Sequence, residues 1–431
     1  MFVNTVILTM KEDEHEVLTD TSMSVDGDTI SYVGPTPQET GSYDEVVDMG
    51  GKVLLPGLVS SHGHTAMCLL RGYGDDLPLR TWLEEKMWPI EARFGREQVR
   101  WGAALAILEM IKSGTTCFGD MYVYMDQVAE VAVEAGIRAS LSHGATGLCS
   151  EEEQQQKWQE SVRFAREWRG EANSRITTML APHAPYTCPP AFIRKFVASS
   201  ADLGVPIHTH MSETEAEVLE SLDQYGIRPV EYLQRLGVFD FPTLVAHAVH
   251  LTTEEISTLA EYGVKVSHNP GSNLKLGSGI APVTQMMERG IRPSLGTDGA
   301  ASNNNLDMLE EVRLAALIHK GVQRNPLAIP AETALRMGTV YGAEALFLDH
   351  MIGALEIGKK ADFISVNLEA PHMQPPNDII SHLVYSASRD DVQDVYVDGK
   401  PLMRDRICLT LDEEEIVHRA LNAFEAVNPY D

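Results

Sequence analysis

The chain has 431 residues, 44% hydrophobic and 22% charged, so a large buried core is available and disordered or collagen-like structure is excluded. Lysine and arginine number 34 against 62 aspartates and glutamates, and the net charge of −28 removes the usual electrostatic source of binding to nucleic acids or anionic membranes. Five cysteines with no CxxC spacing read as reduced thiols of a cytoplasmic protein.

The N-terminal apolar run passes at once into acidic residues and has no basic n-region, so it does not read as a signal peptide. No apolar stretch approaches the roughly 18 residues of a membrane span. Residues 3–9, 29–33 and 46–55 are β-rich and separated by turn clusters such as Asp26-Gly27-Asp28 and Gly50-Gly51-Lys52. From Pro56 onward, short apolar runs alternate with longer amphipathic segments, the pattern of repeated βα units. Strands are predicted over 54–61, 115–120, 137–143, 177–183, 205–210, 243–247, 264–268 and 291–298, and the clearest helix over 97–112. Residues 151–170, rich in Glu, Gln and Arg, read as a solvated helix. Short strands return at 362–366 and 392–397, the latter closed by a Val397-Asp398-Gly399 turn. The expected architecture is a (β/α)8 TIM-type barrel over 56–352, with a small β-sandwich domain built from both chain ends, 1–55 and 353–431, the latter including a terminal helix.

The predicted strands end on chemistry-bearing residues: His62 and His64, His183, His208 and His210, His247, His268 and Asp298. In such a barrel the C-terminal strand ends carry the active site. His62 and His64 stand two apart, so on a strand both face one side and can grip one cation, and His208 and His210 repeat the spacing. A lone histidine reads first as a satisfied core residue, but this concentration on one rim favours a metal. Nitrogen ligands plus the Asp298 carboxylate suit Zn2+, with Fe2+ or Mn2+ less favoured. Glu213, three residues after His210, is placed to act as a general acid or base, against the alternative of a helix-start glutamate. His247 and Asp298 would orient or deprotonate the attacking water. His15-Glu16 begins no HExxH, and no lysine ends the fourth strand to bridge two metals, so one metal per subunit is expected.

These residues resemble the amidohydrolase superfamily, and within it the 5′-methylthioadenosine/S-adenosylhomocysteine deaminases. The resemblance runs from Leu55-Pro56-Gly57 into His62-Gly63-His64, through Leu69-Leu70-Arg71-Gly72, Trp88-Pro89-Ile90-Glu91 and Ala181-Pro182-His183, to Ser267-His268-Asn269-Pro270 and Gly296-Thr297-Asp298. It implies that His62, His64, His210 and Asp298 bind zinc, that Glu213 protonates purine N1, and that His247 assists the water. It also implies that Glu91 holds the ribose hydroxyls and His183 contacts the substrate, while His208 stands behind the ligands and His268 is undecided. Trp82 and Trp88 could wall the purine. In one departure, His143 stands where these deaminases commonly have an arginine near the nucleoside 5′ end, which weakens the case for S-adenosylhomocysteine.

The expected activity is zinc-dependent deamination of an adenine nucleoside by a homo-oligomer without nucleic-acid or membrane partners. The rivals are another hydrolase on the same scaffold, such as a chlorotriazine hydrolase or guanine deaminase, and a non-catalytic assembly protein. The acidic charge argues against 5′-phosphorylated substrates.

Overall fold

The computed structural model describes residues 1–11, 17–38 and 43–428. His15 and Glu16, the His-Glu pair that begins no HExxH, lie outside them. Eight strand positions form a parallel barrel in two ladders. One ladder runs through Leu58–Ser60, Thr115–Tyr122, Arg138–Ala145 and the interrupted pair Ile176–Thr178 and Ala181–Pro182. The other runs through Ile207–Met211, Thr243–His247, Lys265–His268 and Ser294–Leu295. Two seams join them: Leu180 bridges Ile207 in parallel, and the Ser61 N–H donates to the Leu295 carbonyl at 2.9 Å. Thr115–Tyr122 is buried at every position, as a parallel strand between a packed interior and a helical layer must be. Val59, Cys117, Met179 and Leu244 pack with Leu346, Leu348 and Ile352 in a core of their own.

The two chain ends build one nine-stranded sheet among the described residues. Its centre is Lys52–Pro56, parallel to Phe2–Leu8 and antiparallel to Phe363–Asn367. A separate core serves this sheet, with Phe2, Ile7, Met23, Leu54, Phe363 and Tyr396 in it. The predicted turn after Val397 forms, with Asp398 and Gly399 both at positive φ, the requirement of a type I′ hairpin. No helix among the described residues is long and apolar enough to cross a membrane.

The structure departs from the sequence expectation in three places. The strand expected over 54–61 is two: Lys52–Pro56 lies in the terminal sheet and Leu58–Ser60 in the barrel. The break falls at Gly57, where a Cβ would stand 1.9 Å from the Thr116 hydroxyl, so only glycine lets the chain cross between the two. Val17–Asp26 is a ten-residue strand that its Thr, Ser and Asp content concealed, although Thr21, Ser22, Met23 and Ser24 are buried in it. Of the run 291–298, only Ser294–Leu295 pairs in the ladder, and the rest leads to Asp298 as irregular chain.

Candidate metal centre and active-site cavity

The barrel strands deliver their histidines to one point, and the hydrogen bonds behind each ring fix its tautomer. His64 Nδ1–H donates to the Met121 carbonyl at 2.6 Å, His210 Nδ1–H to the His183 carbonyl at 2.7 Å and His247 Nδ1–H to Asn273 Oδ1 at 2.8 Å. Each Nε2 therefore keeps its lone pair for the interior, the arrangement by which an outer acceptor orients a metal-binding imidazole. His62 Nδ1 lies 2.9 Å from His208 Nε2, so His208 stands behind His62 and does not join the cluster. The buried His62 Nε2 has no hydrogen-bond partner.

One ligand atom each from His62, His64 and Asp298, and likewise from His62, His210 and His247, lie within 4.8 Å of one another. His210 Nε2 is 3.4 Å from His64 Nε2, and Asp298 Oδ1 is 3.3 Å from His64 Nε2 and 3.5 Å from His62 Nε2. A cation about 2.0–2.1 Å from each of four tetrahedral donors sets them about 3.3–3.4 Å apart. The donor set thus fits a small divalent ion in both chemistry and spacing. Asp298 Oδ2 accepts from the Ser272 and Ser302 hydroxyls at 2.7 and 2.9 Å, which leaves Oδ1 for the cluster.

His247 and Asp298 both hold positive φ, at 72° and 58°, a left-handed backbone that non-glycine residues adopt where a site demands it. Glu311, fully buried on the helix Met308–Gln323, supports two turns at once. It accepts the Gly271 N–H at 3.0 Å and the Asn303 amide at 2.8 Å, tying together the turns that carry Ser272, Asn273 and Ser302.

Burial and charge set opposite protonation states within a few ångströms. Burial raises the Asp298 carboxyl, but the imidazoles of His62 and His64 outweigh it and hold it well below the usual range. Burial lowers His64, and Asp298 with the Met121 carbonyl more than compensates, raising it to about 9, so that the ring holds on Nε2, toward Asp298, a proton that a cation bound there would displace. Burial leaves His62 at about 4 and His183, next to other imidazoles, at about 3. Glu213 is buried, and burial raises its pKa, which favours the protonated form a general acid uses. Its Oε2 lies 3.8 Å from His247 Nε2, and its Oε1 accepts from the Ser278 hydroxyl at 3.3 Å.

Above the cluster opens a cavity of about 430 Å³ lined by His64, His183, His210, Glu213, His247 and Asp298, with Glu91, His143, Trp82 and Trp88 also in its wall. Glu91 is raised by burial and accepts the Tyr122 hydroxyl. Trp82 is buried, and Trp88 is 37% exposed at the mouth. His268 is not in the lining: it is buried with its Nε2 3.4 Å from His319 Nε2. His143 lines the cavity with its pKa lowered to about 4 by burial, so its ring is neutral at pH 7 and cannot be the fixed cation. A lysine does line the cavity: Lys157, on the helix Glu151–Trp168 expected to be solvated, whose Nζ donates to the Thr146 hydroxyl at 3.0 Å and carbonyl at 3.3 Å. Lys157, Tyr122, Ser272, Asn273 and Ser302 were not singled out from the sequence. Tyr122 carried a signal, as the last residue of a barrel strand, and Ser302 lay inside the Ala301-Ser302-Asn303 stretch after Asp298. Lys157 carried none.

The chain belongs to the amidohydrolase family, whose model matches residues 53–402. Within that class it is 50% identical over 396 residues to a 5-methylthioadenosine/S-adenosylhomocysteine deaminase of Moorella thermoacetica, covering 91% of this chain and 92% of the relative. A 5′-deoxyadenosine deaminase of Methanosarcina mazei is 47% identical over 422 residues, 98% of this chain and 96% of that one. Among solved structures, an adenosine deaminase from Xanthomonas campestris with bound zinc superposes with a TM-score of 0.92 at 36% identity, over 99% of each chain.

Proposed function

We propose that the protein hydrolyses the 6-amino group of an adenine nucleoside, consuming water and releasing ammonia and the hypoxanthine nucleoside. The observation that carries this is the convergence of pinned imidazoles and Asp298 beneath a cavity that also holds two carboxylates, the buried Glu213 and the half-buried Glu91. The relatives' names, methylthioadenosine/S-adenosylhomocysteine and 5′-deoxyadenosine deaminases, support the same substrate class.

His62, His64, His210 and Asp298 would hold one Zn2+ per subunit, which when bound supplies the Lewis acidity that brings the pKa of a water from about 15.7 to about 7. Glu213 delivers its proton to purine N1, so that C6 becomes electrophilic and the ring can accept negative charge. His247 and Asp298 take up one proton of the attacking water as C6–O forms and pass it to the amino group, and the second proton of that oxygen returns to Glu213 as C6–N breaks, ammonia leaves and the C6 carbonyl forms. Glu91, one oxygen held by Tyr122, accepts the ribose hydroxyls, for which an ionised carboxylate has the acceptor capacity. Trp82 and Trp88 wall the base, and His183 packs beside His210 with ring centroids 4.6 Å apart. The 5′ substituent faces His143 and Lys157, so methylthioadenosine, 5′-deoxyadenosine, adenosine and S-adenosylhomocysteine are all substrates to test. Each would be incubated with zinc-loaded protein while the adenine absorbance is followed. A shift to the hypoxanthine spectrum is expected, and its absence with all four would overturn the reading.

A further inference from the structure

The buried carboxylate of Glu217 lies outside the cavity lining, yet it grips the backbone that carries Glu213. The pattern Ser/Thr-x-x-Glu starts three helices. In two of them the glutamate reaches back to the N–H of the capping residue: Glu153 accepts the Ser150 N–H at 2.9 Å and Glu255 the Thr252 N–H at 2.8 Å. In the third, Thr214 caps the Glu217 N–H at 3.2 Å in the ordinary way, but the carboxylate passes Thr214 and goes further back. Glu217 Oε1 accepts the Ser212 N–H at 2.9 Å, and Oε2 accepts the Glu213 N–H at 2.8 Å. Ser212 adopts a left-handed φ of 52° in this turn. The Ser212 carbonyl meanwhile accepts the Val249 and His250 N–H groups at 3.0 and 2.9 Å. The peptide that presents Glu213 is therefore tied by its amides to Glu217 and by its carbonyl to the strand exit after His247.

Helix capping alone does not explain this side chain. Glu153 is exposed and Glu255 has Arg228 at 2.9 Å, whereas Glu217 is 5% exposed with no salt bridge among the described residues. Burying a carboxylate without a cation is unfavourable, and burial pushes Glu217 up to about 7. Both of its oxygens are used on two consecutive amides, one of them Glu213's own.

We propose that Glu217 is a positioning residue for proton transfer, its carboxylate fixing the Ser212–Glu213 backbone so that the Glu213 side chain meets the substrate at a set place. This rests on the deaminase reading, in which Glu213 moves the proton. The test is Glu217→Gln, which keeps the volume but turns an amide N–H2 toward one of the two N–H donors. Metal content and unfolding midpoint should stay near wild type, KM within about twofold, and kcat should fall about 10- to 100-fold, the usual cost of losing an outer support. In a Glu213→Gln background the same change should cost residual turnover less than about threefold, because the two act through one group. Hydrogen exchange of the peptide spanning 211–217 should quicken. Equal losses in both backgrounds, an unchanged kcat, or a loss that merely follows metal or fold would overturn the proposal. Should Glu217→Gln not fold, Glu217→Asp keeps the charge one methylene short and should show a smaller kcat loss with the same split. If the wild-type protein deaminates no nucleoside, the deaminase reading fails by itself. Exchange then decides the clamp, which falls if those amides are unprotected in wild type or unchanged in the variant.

Discussion

Glu213, buried, and Glu91, half-buried, are carboxylates on one cavity, and their surroundings separate their work. Glu213 faces His247 and the Ser278 hydroxyl, while Glu91 accepts the Tyr122 phenol. Replacing Glu213 by Gln leaves the metal cluster untouched, so bound zinc measured by mass spectrometry should stay at the wild-type level while kcat falls about 10²- to 10⁴-fold, the range for loss of a general acid. A near-normal rate would take Glu213 out of that role. Glu91→Ala should act differently. Its loss removes charge-assisted hydrogen bonds to the sugar, and kcat/KM for adenosine should drop about 10- to 100-fold while the preference for adenosine over 2′-deoxyadenosine disappears. Insensitivity would favour a substrate without hydroxyls, such as a chlorotriazine or a free heterocycle.

At the scale of elements, what could be read from the sequence was the strand end. A parallel strand buried on both faces leaves a run of apolar residues, and the abrupt arrival of His62, His210, His247 or Asp298 at its close is visible without a structure. The second layer was not visible in this way. Asn273 and Ser272 reach His247 and Asp298 from the short helix Pro270–Lys275, whose spacing from those strands is set by a turn and not by any period. The helix Glu151–Trp168 concealed Lys157 for another reason: it buries only Ser161, Phe164 and Ala165, so its polar sequence reads as solvent-facing throughout. Lys157 also changes the expectation about substrates, since the absent arginine at position 143 does not leave the wall without a cation. Lys157→Ala should lower kcat/KM for S-adenosylhomocysteine about tenfold or more, through its carboxylate, and leave methylthioadenosine within about twofold. A parallel kinetic comparison of the two nucleosides checks this, and equal losses would exclude a charge contact.

Across the whole molecule, a buried guanidinium is one of the joints between the barrel and the terminal sheet. Arg138 begins the third barrel strand, is fully buried, and holds Asp362 through Nε at 2.7 Å and a terminal nitrogen at 3.0 Å, while also binding Asp398 in the hairpin turn of the sheet. The same strand reaches the cavity only at its far end, with His143 and Gly144, so the joint and the chemistry sit at opposite ends of one element. Arg138→Met should therefore separate stability from catalysis. It strands two buried carboxylates, with Arg175 only at 3.9 Å from Asp398, and loss of one partner from a buried ion pair costs about 3–5 kcal/mol. The unfolding midpoint should drop by several degrees, and kcat per metal-loaded molecule should be unchanged. Adding Asp362→Asn and Asp398→Asn removes the stranded charges and should recover part of the loss. Thermal unfolding of the single and triple variants beside their rates tests this, and a fall in kcat with stability intact would mean that the terminal sheet helps to shape the cavity.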